Sequence, residues 1–139
     1  MLTQEEIRSD LVKLKEIVAA HKAPNTELAV HKEIISGEEY EVFTKAPRNL
    51  GALYELGLRS KDATFLVYQK ERYTFSETLH LARRMARVLT EQYRISHGDR
   101  VSICARNSPE WCLAYMAITM IGGVVVPMNS WWKEKEIEY

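Results

Sequence analysis

Arg83, Arg84 and Arg87 cluster within one turn of chain, and guanidiniums at that spacing can contact a phosphate-bearing ligand. The same spacing describes a solvated helix face, which is the preferred reading. Trp131-Trp132 could line an acyl or aromatic pocket; packing against the turn after a strand is preferred. Asn107-Ser108 falls at the carboxyl end of an expected parallel strand and at a helix N-terminus, where open α/β sheets bind ligands and anions are welcome. A plain helix cap explains the pair as well and is preferred. His21, His31, His80 and His97 have no metal-ligand spacing with Cys104 or Cys112, so no zinc site is expected. Both cysteines read as small core residues rather than a redox pair. Gly122-Gly123 is followed by neither a lysine nor a further glycine at phosphate-loop spacing. No serine sits in a Gly-x-Ser-x-Gly elbow.

The elements that would position these residues begin with a helix over Gln4–His21. Thr3 and Glu6 have capping-box spacing, and Ile7, Leu11, Leu14 and Val18 share one stripe. Glu27–Ile35 is ambiguous, with a second short helix as one reading, and Ser36-Gly37 closes it. Tyr40–Thr44 reads as a strand. Asn49 caps a short helix with Gly57 near its end. Thr64–Gln69 and Arg72–Thr74 form a small hairpin about Lys70-Glu71. Thr74 and Glu77 then open a long helix to about Arg94. Its inward face is Leu79, Ala82, Met85, Ala86, Leu89 and Tyr93; His80, the arginines and Glu91 face outward. After a turn at His97-Gly98-Asp99 comes the strand Arg100–Ala105. A helix with Ser108 as cap and Pro109 first runs to Ile121, followed by the strand Val124–Pro127. Strand, helix, strand is a βαβ unit, so the strands should be parallel and the crossover right-handed. A last helix begins near Lys133.

The 139 residues suit one domain with an appendage, and 46% apolar content supports a real core. Nineteen basic and 19 acidic residues cancel, which argues against a nucleic-acid binder. Only two cysteines favour a reducing, intracellular setting. Trp111–Trp132 carries no charge and is long enough to be a transmembrane candidate. Gly122-Gly123, the triplet Val124-Val125-Val126 and Pro127 favour helix, turn and buried strand instead.

Four segments resemble a known family. Tyr73-Thr74-Phe75-Ser76-Glu77 with Ala82 and Met85-Ala86, then Gly98-Asp99-Arg100-Val101, then Asn107-Ser108-Pro109-Glu110-Trp111, then Gly122–Asn129 are similar, in order and spacing, to the AMP-forming acyl- and aryl-CoA synthetases of the adenylate-forming superfamily. Asn129-Ser130-Trp131-Trp132 with Glu136–Tyr139 is most like the fatty-acyl-CoA ligase branch. The resemblance implies an α/β fold, the start of the large N-terminal domain of such an enzyme. It divides the chain into an N-terminal helical extension, 1–45, and a partial AMP-binding domain, 46–139.

It also implies a reaction. ATP and a fatty or other carboxylic acid form an acyl-adenylate with loss of pyrophosphate, and coenzyme A thiolate displaces AMP, with Mg²⁺ stabilising charge. The family's phosphate loop, nucleotide contacts, hinge and catalytic lysine lie beyond the equivalent of Tyr139. No catalytic, cofactor-binding or metal-binding residue is therefore carried over. The chain is expected to be an N-terminal fragment of a cytoplasmic ligase, inactive alone and binding none of ATP, Mg²⁺ or coenzyme A tightly. Two physical signs accompany that expectation: the helix Pro109–Ile121 is apolar almost all round, and the last helix carries no C-cap. A non-catalytic binding or interaction module on half a synthetase scaffold is the alternative, and a membrane protein using Trp111–Trp132 is a third reading.

Overall fold

The computed structural model describes residues 3–138, which divide between Ala46 and Pro47 into two compact units.

The first unit opens with α1, Gln4–Lys22. Its capping box is complete: the Thr3 N–H donates to the Glu6 carboxylate at 2.7 Å, and the Glu6 N–H donates to the Thr3 hydroxyl at 3.3 Å. The ambiguous segment resolves as a strand, not a helix. β1, Val30–Ile35, pairs antiparallel with β2, Glu38–Phe43, with Ile35 opposite Glu38. The turn decides this. Ser36 and Gly37 both take positive φ, 52° and 90°, as a two-residue type I′ hairpin turn demands. The extension is thus a helix followed by a hairpin rather than helical throughout. Ala29 is its buried apolar residue among those described.

The second unit begins with α2, Leu50–Leu56, capped by Asn49, whose Oδ1 accepts the Ala52 N–H at 2.8 Å. A 3₁₀ turn, Gly57–Ser60, continues it. β3, Thr64–Tyr68, and β4, Glu71–Thr74, form the hairpin, with Gln69 at φ 49°. α3, Phe75–Glu91, starts on a second capping box, with the Thr74 N–H on the Glu77 carboxylate at 2.8 Å and the Glu77 N–H on the Thr74 hydroxyl at 3.1 Å. Leu79, Ala82 and Ala86 are buried on its inward face, as the spacing predicts. Tyr93 is a correction. The helix stops at Glu91, Arg94 turns to φ 59°, and the Ile95 N–H closes on the Leu89 carbonyl at 3.0 Å. Tyr93 therefore leaves the stripe and is 68% exposed.

The βαβ unit comprises β5, Arg100–Cys104, α4, Pro109–Met120, and β6, Val124–Met128. The strands pair in parallel, Arg100 opposite Val124 through Cys104 opposite Met128. α4 has no polar face. It packs on α3 and α2 and buries Met116, Ala117 and Ile118. The core joins Leu79, Ala82 and Met116 to Tyr54, Leu58, Leu113 and Met120. The Thr119 hydroxyl donates to the Tyr115 carbonyl, so it accepts from the Tyr54 hydroxyl, at 2.8 Å. A short α5, Glu134–Ile137, follows. Among the described residues no helix is long and apolar enough to cross a membrane: α4 ends at Met120, and the rest of the uncharged run is turn and strand.

Cys104 is a second correction. Strand residues alternate sides; Ile103 points inward at 7% exposure, so Cys104 points outward and is exposed. Cys112, on α4, is half-buried.

Candidate functional site

The parallel register aligns the carboxyl ends of β5 and β6, and a cleft of about 500 Å³ opens there. Open α/β sheets place ligands at such an edge. The segment after β5 supplies Arg106 and Asn107; the segment after β6 supplies Asn129 and Trp131; Trp111 reaches in from the first turn of α4. Asn129 shapes its own loop. Its Oδ1 accepts the Trp131 N–H at 3.0 Å, and its carbonyl accepts the Trp132 N–H at 3.0 Å. That bent turn holds the Trp131 indole outward, 72% exposed, and does not pack the ring against the turn. Arg106 lies over that ring, its Cζ 4.3 Å from the centroid, a cation–π contact of about 0.5–1 kcal/mol at an exposed site. Trp111 is stacked on Tyr115, with centroids 5.6 Å apart and planes 15° from parallel.

The cleft therefore offers one guanidinium, aromatic faces and two side-chain amides, groups suited to a flat or anionic ligand. The start of α4 is less open to anions than its position suggests. Ser108 holds the N-cap position without accepting a helix N–H. The neighbouring Ser108 hydroxyl, foremost, and the Glu110 backbone N–H hold the Glu110 carboxyl below its ordinary value. Glu110 thus places a negative charge at the helix end that favours one.

The structure brings Asn107 and Trp131 to one cleft and leaves the arginine cluster elsewhere. Arg83 pairs with Glu55 across to α2, and Arg87 Nε pairs with Glu91 at 2.7 Å. Two of the three guanidiniums already have carboxylate partners, as on a solvated face. Arg106 escaped sequence reasoning because its partner lies 25 residues away. The register carries the signal: an offset of 24 between β5 and β6 sets Arg106 level with Ser130, beside Trp131.

At the opposite end of the strands the turns interlock. The Asp99 carboxylate accepts the Ser96 N–H at 2.8 Å and the Ser96 hydroxyl at 2.9 Å, which hold it below its ordinary value, the backbone bond foremost. The Gly98 N–H donates to the Gly122 carbonyl at 2.9 Å, and the Val124 N–H to the Asp99 carbonyl at 2.8 Å. Among the described residues no His, Cys, Asp and Glu gather in a group of three able to hold a metal ion, and no glycine-rich loop faces the cleft. Among the described residues no carboxylate cluster fits a Mg²⁺ site, and no step of nucleotide chemistry is assigned to them.

The family model described as "AMP-binding enzyme" matches residues 55–139. The mitochondrial acyl-coenzyme A synthetase ACSM3 of Rattus norvegicus is 37% identical over 68 residues, 49% of this chain and 12% of that protein. The 4-hydroxybutyrate–CoA ligase 2 of Metallosphaera sedula is 33% identical over 104 residues, 75% of this chain and 18% of that protein. Among solved structures, the Mycobacterium tuberculosis fatty acyl CoA synthetase superposes with a TM-score of 0.60 at 30% identity, over 64% of this chain and 18% of that one. The chain thus spans less than a fifth of the length of these relatives.

Proposed function

The chain belongs to the AMP-binding enzyme family, and on that premise we propose that it is the N-terminal portion of an ATP-dependent, AMP-forming acid–CoA ligase. That ligase converts a fatty or other carboxylic acid to an acyl-adenylate and then to a coenzyme A thioester, with ATP, Mg²⁺ and coenzyme A bound by the whole enzyme. Residues 46–139 contribute to its adenylate-forming domain, and 1–45 extend it. The observation that carries the reading is the family match over 55–139, a region whose parallel register opens a ligand-sized cleft at the strand carboxyl ends. No residue here is given a catalytic role; the part of the chain described supplies scaffold and one wall of a cleft. The proposal places the ligase in the cytoplasm, which fractionation of cells carrying a tagged copy tests.

ATP–pyrophosphate exchange by the complete gene product, over a panel of carboxylic acids, tests the activity. The expected result is acid-dependent exchange, with AMP released on adding coenzyme A. Release of ADP, or exchange indifferent to acid across the panel, would overturn it. The 139-residue polypeptide alone is expected to give no exchange; robust exchange would sink that part of the reading.

A further inference from the structure

The strongest surface that the ligase reading leaves unused is the apolar seam of α1. Ile7, Leu11, Leu14 and Val18 are spaced four, three and four residues apart, the alternation of a coiled-coil seam. They are 46%, 52%, 55% and 44% exposed, along a helix of 19 residues, about 28 Å long. The flanks of the seam differ in charge. Arg8, Lys15 and Lys22 follow one side, whereas Asp10 stands on the other with Thr3 and Ile17.

We propose that a second copy of this chain covers the seam, the two α1 helices pairing in parallel. Charge selects both the occupant and the direction. In a parallel pair each helix sets one flank against the opposite flank of its partner, and a residue meets the one five positions further along the other chain. Asp10 of each copy then meets Lys15 of the other. An antiparallel pair would set the basic flank against itself. An anionic membrane surface is a poorer occupant, because the helix carries four acidic and four basic residues and so has no net attraction to it. The inference concerns the first unit alone and is independent of the ligase reading.

Sedimentation equilibrium of the full chain at rising concentration tests it, at low salt. The expected mass climbs toward that of two copies, and Leu11→Glu holds it at one while far-UV circular dichroism keeps the helix. Asp10→Lys or Lys15→Asp alone should weaken association about fivefold, and the two together should restore it. With Cys104 and Cys112 replaced by serine, Leu14→Cys should cross-link to itself. A single-copy mass throughout, association untouched by Leu11→Glu, a double charge exchange that fails to recover, or cross-linking of Ile7→Cys to Val18→Cys instead would each overturn the proposal.

Discussion

At the residue scale, the turns before β5 and β6 separate two costs that are usually confounded. Gly98 and Gly122 both hold left-handed backbone, φ 87° and 79°, yet a Cβ on Gly98 would meet nothing within 4 Å, whereas one on Gly122 would lie 2.6 Å from His97 Cδ2. Gly98→Ala should therefore cost only backbone strain, about 1 kcal/mol. Gly122→Ala should add the overlap and lose about 2–3 kcal/mol. Urea unfolding of both variants measures the gap, and the same pair made in a His97→Ala background should show it narrowed. Equal losses in both backgrounds would refute the account. At the cleft, Asn107 was visible in the sequence because a strand end and a helix start both point to it. The Arg106–Trp131 contact was not, since no local pattern joins residues on separate loops; only the strand register does.

Elements show why local signals were read well where they close on themselves. Thr3 with Glu6, and Thr74 with Glu77, form boxes within four residues, so residue type alone determines them. Ser108 has the right type for a cap, but its side chain accepts no helix N–H. Thr74→Ala should thus lower stability by about 1 kcal/mol, and Ser108→Ala by a few tenths, in thermal unfolding under matched conditions; equal costs would contradict the assignment. Glu27–Ile35 misled because Lys32 and Glu33 in the middle of β1 blur its period of two, and the decisive turn depends on Ser36 accepting a positive φ that its type does not advertise. The end of α3 was overrun for a related reason. No glycine or proline marks it, and Arg94 takes the left-handed conformation instead.

On the scale of the whole molecule, acid response gathers several small anchors. Glu6, Glu77 and Asp99 are each held below their ordinary values of 4.5, 4.5 and 3.8, chiefly by the backbone N–H of Thr3, Thr74 and Ser96. Each folded-state value is thus below the unfolded one, so the stabilisation is full above the ordinary value and is lost as pH falls through the lowered one. The melting temperature should decline steadily as pH drops below those ordinary values, and Glu77→Gln should flatten part of the decline. A melting temperature that stays level through that range would refute the linkage. Much of the architecture was legible, including the βαβ unit that positions the cleft, because its period, caps and glycine turn agree with one another.

Chain order gives the topology a temporal meaning. β1 with β2, and β3 with β4, join neighbours across turns of two residues, so each hairpin can form within microseconds of leaving the ribosome. β5 must wait for the whole of α4 and for β6, since its parallel partner Val124 to Met128 is made after that helix. At a synthesis rate of about 5–20 residues per second, the cleft's first wall stands for about a second or more before its second exists. During that interval α4, apolar on every side, is the segment of the nascent chain most in need of shelter.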